Sequence, residues 1–94
     1  MTVQDILDTL ETEGIYPGDI ESQIKEKMPD YEVAVYDDDQ ELGDSYTTTS
    51  IIATFIQNCA TNKTLVDIDL GSIWCTDDCG QHTYTVIAVK TKKD

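Results

Sequence analysis

Cys75, Cys79 and His82 stand close together near the end of the chain, and with Cys59 farther up they supply the donor atoms of a Cys3His zinc site. Structural zinc motifs pair cysteines about two to four residues apart and add a second clustered pair. The gap between Cys75 and Cys79 is permitted, but the fourth donor would be the lone Cys59 on an apolar stripe. A zinc protein built on Cys59, Cys75, Cys79 and His82 is therefore only a third functional reading; the expectation is that Cys59 packs as a small hydrophobe while Cys75, Cys79 and His82 decorate a hairpin. A Cys79–His82 pair would activate a thiol only if the two side chains touched, and a hairpin tip holds such geometry poorly. Asp37, Asp39 and Glu41 alternate like the opening ligands of a calcium loop. The match then fails, with Leu42 at the glycine position and Thr48 at that of the bidentate glutamate. His82 is the single histidine, and no nucleophile elbow, glycine-rich phosphate loop or Cys-x-x-Cys occurs. The expectation is a protein that is not an enzyme and that uses no cofactor.

What remains is charge. The stretch "YEVAVYDDDQELGDSY" sits in a run of seven acids, Asp30 to Asp44, without one basic residue. The whole chain has 94 residues, a net charge of -13, six lysines and no arginine. Residues 1–62 hold fourteen acids against Lys25 and Lys27, whereas residues 63–94 hold five acids against Lys63, Lys90, Lys92 and Lys93. Solubility alone asks for a net charge of magnitude about 2 to 8, and a larger excess costs stability through self-repulsion. Without arginine the chain lacks the side chain best suited to bidentate phosphate and guanine contacts, so direct nucleic-acid binding is not expected. Acidity disfavours anionic membranes, and no apolar run reaches the length of a spanning helix. The start, "MTVQDILDTLETEG", lacks the pattern of a secretory signal. A cytoplasmic location is expected, with reduced cysteines and with Asn62-Lys63-Thr64 a chance glycosylation match.

These residues must be held by elements that hydrophobic spacing places. Thr2 and Asp5 form a capping-box pattern ahead of Val3, Ile6, Leu7 and Leu10, predicting a helix that Gly14 stops. "IYPG" reads as a turn, and Ile20, Ile24 and Met28 give a second helical stripe from Gly18/Asp19 to Pro29. Tyr31, Val33 and Val35 alternate with Glu32, Ala34 and Tyr36, as in a strand with one covered face. Ile51, Ile52, Phe55, Ile56 and Cys59 predict a third helix with caps among Ser45–Thr49, a strand being the alternative. "TLVDIDLGSIWC" and "QHTYTVIAVK" read as two strands joined by "TDDCG". The order is α-α-β-α-β-β: one α+β domain over residues 1–94, with a small, mostly antiparallel sheet packed against helices.

On the predicted first helix, Asp5, Asp8 and Glu11 recur at three-residue steps and line one side as a row of fixed negative charge. Duplex DNA also presents rows of charge, and a basic cleft gains affinity by neutralising them. In its size, its lack of arginine and its dense acids between residues 5 and 44, the chain resembles the small acidic inhibitors of phages and mobile elements, the anti-CRISPR and anti-restriction proteins that imitate nucleic acid. The resemblance implies a partner with a basic nucleic-acid-binding cleft, such as a CRISPR effector or restriction nuclease. The expected partner-binding set is Asp30, Glu32, Tyr36, Asp37, Asp38, Asp39, Glu41, Asp44 and Tyr46, with Asp5, Asp8 and Glu11 from the first helix. The alternative is an acidic adaptor or antitoxin, which would show an exposed apolar patch rimmed by acids, where a mimic would show a continuous acidic face.

Overall fold

The computed structural model of the chain describes residues 2–10, 15–38, 45–78 and 80–93, and the backbone alone for residues 45–47 and 77. Three helices, α1 (Val3–Leu7), α2 (Pro17–Lys27) and α3 (Ser45–Cys59), surround three strands, β1 (Tyr31–Asp37), β2 (Lys63–Asp77) and β3 (Gly80–Lys93). The expected α+β order holds, and the strands form one antiparallel sheet in the order β1-β3-β2.

The local causes are visible residue by residue. Thr2 caps α1: its hydroxyl accepts from Asp5 N–H at 3.1 Å, while its own N–H donates to the Asp5 carboxylate at 2.9 Å. The helix is shorter than its apolar spacing suggests. After Leu7 the chain tightens into i→i+3 bonds, Thr9 N–H to Ile6 and Leu10 N–H to Leu7, and the Thr9 hydroxyl also bonds the Ile6 carbonyl. Pro17 opens α2 at the position where a missing N–H costs nothing, and the Asp19 carboxylate accepts from Tyr16 N–H at 3.3 Å. At the other end of the chain's alternation, Gly80 takes φ 108° in the β2–β3 turn, which the "TDDCG" connection requires of its glycine. Asn62 adopts φ 59° just beyond α3, the left-handed conformation that ends many helices.

Strand alternation divides the sheet into two faces. The inner face carries Val33, Val35, Ile73, Cys75, Tyr84, Val86 and Ala88, and α1 and α2 cover it with Val3, Ile6, Leu7, Ile20, Ile24 and Met28 to make the core. Gly71 lies beneath α1: a methyl group there would meet Val3 Cγ1 at 2.9 Å and Leu7 Cδ1 at 3.0 Å. The outer face carries Ile87 and Val89 on β3, both fully buried, beneath α3. Toward β2 that face lies open: Leu65, Ile68, Leu70 and Trp74 are exposed, with Val66 beside them at a bulge between Leu65 and Asp67. The bulge swaps the alternation, so that Leu65 joins Ile68 on the outer face while Asp67 and Asp69 turn inward.

Candidate electrostatic and apolar surfaces

Among the described residues, exposed acids stand on the α1–α2 side and also at Glu32 on β1, Asp67 on β2 and Asp78 in the β2–β3 hairpin. The α1–α2 side exposes Asp5, Asp8, Asp19, Glu26 and Asp30 to solvent, with Glu21 paired to Lys25 at 3.2 Å. Asp5 is held below the usual carboxylate range by the Thr2 backbone and hydroxyl bonds, so it is charged over the whole neutral range. Asp8 accepts from the Gln4 amide at 2.9 Å. Of the expected row, Asp5 and Asp8 remain on or next to α1, and Glu11 lies outside the described residues.

The acidic stretch after β1 is partly tied into the fold. Asp37 faces His82, its carboxylate 3.2 Å from His82 Nδ1, and His82 stacks on Tyr84 with ring centroids 6.1 Å apart. Asp38 accepts from the Thr85 hydroxyl at 2.7 Å and donates its N–H to the Thr83 carbonyl at 2.9 Å. Both are half-buried and pin the end of β1 to β3, so neither is a solvated loop acid. Glu32 and Tyr36 turn to the outer face, as the alternation predicts, with Glu32 lining a shallow groove of about 220 Å³ with Phe55, Asn58, Cys59 and Lys63. Asp30 is exposed in the turn before β1. Asp39, Glu41 and Asp44 lie outside the described residues, as does the side chain of Tyr46 at the start of α3.

The sequence-based zinc set is not brought together. Cys75 sits opposite His82 in the β2–β3 register on the inner face, whereas Cys59 lies on α3 across the sheet, beside Glu32. Burial, aided by Glu32 and opposed by Lys63, pushes the Cys59 thiol up from its ordinary value. Cys79 lies outside the described residues, and among those described no group of three or more His, Cys, Asp and Glu is placed to hold a metal. Cys75 itself is fully buried, which leaves it a packing residue beside the His82–Asp37 pair.

Two further carboxylates on β2 work locally. Asp69 accepts from Val3 N–H at 2.8 Å, tying the start of α1 to the strand, and Asp67 accepts from the Tyr31 hydroxyl at 2.7 Å. That bond, with burial and the Asp67 charge, raises the Tyr31 phenol above its ordinary value. The Gln4 amide accepts from Ser72 N–H at 3.0 Å and donates to the Ser72 carbonyl at 3.1 Å. A side chain thus occupies the free edge of β2 where a fourth strand would pair. An open groove of about 410 Å³ adjoins this contact, lined by Gln4, Leu7, Asp8, Leu10, Ser72, Ile73, Trp74 and Thr83.

Sequence reasoning missed the apolar strip of β2. Its signal was present in the spacing of Leu65, Ile68, Leu70 and Trp74, but the facing of those residues depends on the bulge. Among the described residues no helix is long and apolar enough to cross a membrane. No family model, curated protein or solved structure matches this chain.

Proposed function

We propose that this chain is an acidic protein inhibitor that occupies the basic nucleic-acid-binding cleft of another protein, of the kind that a defence nuclease presents. The carrying observation is that the α1–α2 layer and its flank expose five carboxylates, Asp5, Asp8, Asp19, Glu26 and Asp30, more than the strands and hairpin do with Glu32, Asp67 and Asp78. Fixed charges on a folded scaffold meet a basic cleft without the ordering cost that a flexible acidic tail pays, and they speed encounter electrostatically. Asp37 and Asp38 serve this reading indirectly, by anchoring the start of the acidic segment that follows β1.

The test is competition. Immobilised protein captures partners from a nuclease-treated lysate, and the captured protein is challenged with duplex DNA and with salt between about 50 and 200 mM, where phosphate-type contacts weaken strongly. Displacement by both is expected, together with weaker capture by a variant carrying Asp8→Asn, Glu26→Gln and Asp30→Asn. Capture that is indifferent to salt and to DNA refutes mimicry.

The adaptor or antitoxin reading draws on a different observation, the exposed apolar strip of β2. It would seat an unrelated protein on that strip and leave the acids as rim.

A further inference from the structure

The groove at the free edge of β2 brings together the chain's single tryptophan and a carboxylate that is held in place. Asp8 is exposed just past α1, and its Oδ1 accepts from Gln4 Nε2 at 2.9 Å, which leaves its second oxygen for another donor. The same Gln4 amide is gripped on both sides by Ser72, so Asp8 is set relative to the strand. Because Ser72 N–H and carbonyl meet Gln4, they point to the open edge, and the alternation of an antiparallel strand turns the Trp74 carbonyl the same way. The Trp74 side chain is 55% exposed. With Leu7, Leu10 and Ile73 as its apolar lining, the groove of about 410 Å³ offers an indole, a greasy wall and oxygen acceptors.

One kind of side chain suits that set. A guanidinium carries five N–H donors and no acceptor, stacks on an indole face and forks onto a carboxylate, while its methylene stem lies along apolar surface. The chain has no arginine of its own, and none of its six lysines lines the groove. Lys63, Lys90, Lys92 and Lys93 gather at the opposite end of β2 and β3, with Lys63 about 36 Å along the strand from Trp74 at about 3.3 Å per residue. Lys25 and Lys27 stand in the last turn of α2, whose first turn is the one near the hairpin, where the Tyr16 hydroxyl donates to Asp78 at 3.1 Å. The other ionisable pair toward this end, Asp37 with His82, lies on the inner face. We propose that the groove receives an arginine side chain from a basic protein partner, its guanidinium stacked on Trp74 and bonded to Asp8 Oδ2 and the Trp74 carbonyl. This rests on the inhibitor reading only for the basic character of the partner, and it adds a residue-specific contact to a field of charge. Lysine, a compact and strongly hydrated ammonium, cannot fork and gains less from the indole, so it meets the carboxylates alone.

Since Trp74 is the only tryptophan, its emission reports on the groove without a label. The full chain is titrated at about 50 mM salt with a short capped peptide alternating arginine and glycine, and with its lysine counterpart of equal charge. The expected result is a saturable change with the arginine peptide below about 1 mM and a response to the lysine peptide weaker by about fivefold or more. Asp8→Asn keeps the bond to Gln4 and should weaken the arginine peptide about threefold or more, whereas Glu21→Gln, which removes the same charge beside Lys25 on α2, should leave it within about twofold. Trp74→Leu is silent in fluorescence and is titrated by calorimetry, where a loss of about threefold or more is expected and Trp74→Phe recovers part of it. Both side chains are exposed, so the far-ultraviolet spectra should not change. An emission that does not respond, or equal binding of the two peptides, overturns the proposal. So does an equal loss in Asp8→Asn and Glu21→Gln, which reduces the contact to net charge. Lysate capture that ignores salt and DNA removes mimicry while arginine-peptide binding stands, and the converse removes the groove alone, so the two proposals fail separately.

Discussion

The two faces of the sheet use the same kinds of strand residue to opposite ends. On the inner face, Val33, Ile73, Tyr84, Val86 and Ala88 are sealed beneath α1 and α2, and the acids ride outside on those helices. On the outer face, Ile87 and Val89 are sealed beneath α3, yet Leu65, Ile68, Leu70 and Trp74 a strand away remain in water and the covering helix carries no charge. The contrast teaches that net charge says little about where a molecule is sticky. In this chain five exposed carboxylates ride on or beside α1 and α2, whereas the exposed apolar side chains of β2 lie on the opposite face, where Glu32 and Lys63 are the charges beside α3 among the described residues.

The largest test of that contrast is a matched pair of truncations. Ile24→Ala on the inner side should cost about 2 to 5 kcal/mol of stability, because it empties a fully buried site. Leu70→Ala on the outer side should leave the stability of a dilute sample within about 0.5 kcal/mol, as surface changes do. Urea unfolding at low protein concentration measures both, and equal losses would show that the outer strip is already covered within one chain. Next in size is Gly71→Val, which thrusts a branched side chain into Val3 and Leu7 and should cost about 1 to 3 kcal/mol by overpacking. Thermal denaturation reads it, and a neutral result would mean that α1 does not press on β2.

A smaller effect is expected from salt. Screening should raise the melting temperature at neutral pH, since fourteen acids crowd residues 1–62 against two lysines. Alternate placement of charge would make the melting temperature indifferent to salt. The smallest effect belongs to Asp5. Its folded value is lowered by the Thr2 bonds, so the stability it adds is present above its ordinary value of 3.8 and is lost as pH falls through the lower folded value. Asp5→Asn should therefore lower the melting temperature slightly at neutral pH and flatten the acid limb below about pH 4, where the parent's own carboxyl is protonated and the two proteins converge.

Much of this fold was legible because its elements carry strong local signals. The Thr2–Asp5 capping box, Pro17, the alternation of Tyr31–Tyr36 and the glycine of the "TDDCG" turn each act within a few residues. What was not legible depends on distant pairing. The hydroxyl run before Ile51 was expected to cap α3, yet the helix already begins at Ser45. Farther along, the Thr54 hydroxyl bonds back to the Ser50 carbonyl at 2.9 Å, which lets such residues sit inside a helix. The facing of Leu65 relative to Asp67 turns on one bulged residue, Val66, and no period-2 reading of "TLVDIDLGSIWC" anticipates it. His82 meets Cys75 and Asp37 only through the register of two strand pairs. The candidate acids were legible as composition, but which of them are free to act was not: Asp37 and Asp38 are taken up by the sheet, while Glu26, outside the expected set, stands exposed.

The sorting of charge is tested most directly by titrating the isotope-labelled protein with a lysine oligopeptide and following backbone amide shifts. The account predicts salt-sensitive shifts concentrated at Asp5, Asp8, Asp19, Glu26 and Asp30, with Ile68 to Trp74 unmoved. Shifts centred on β2, or spread evenly over both faces, would contradict it.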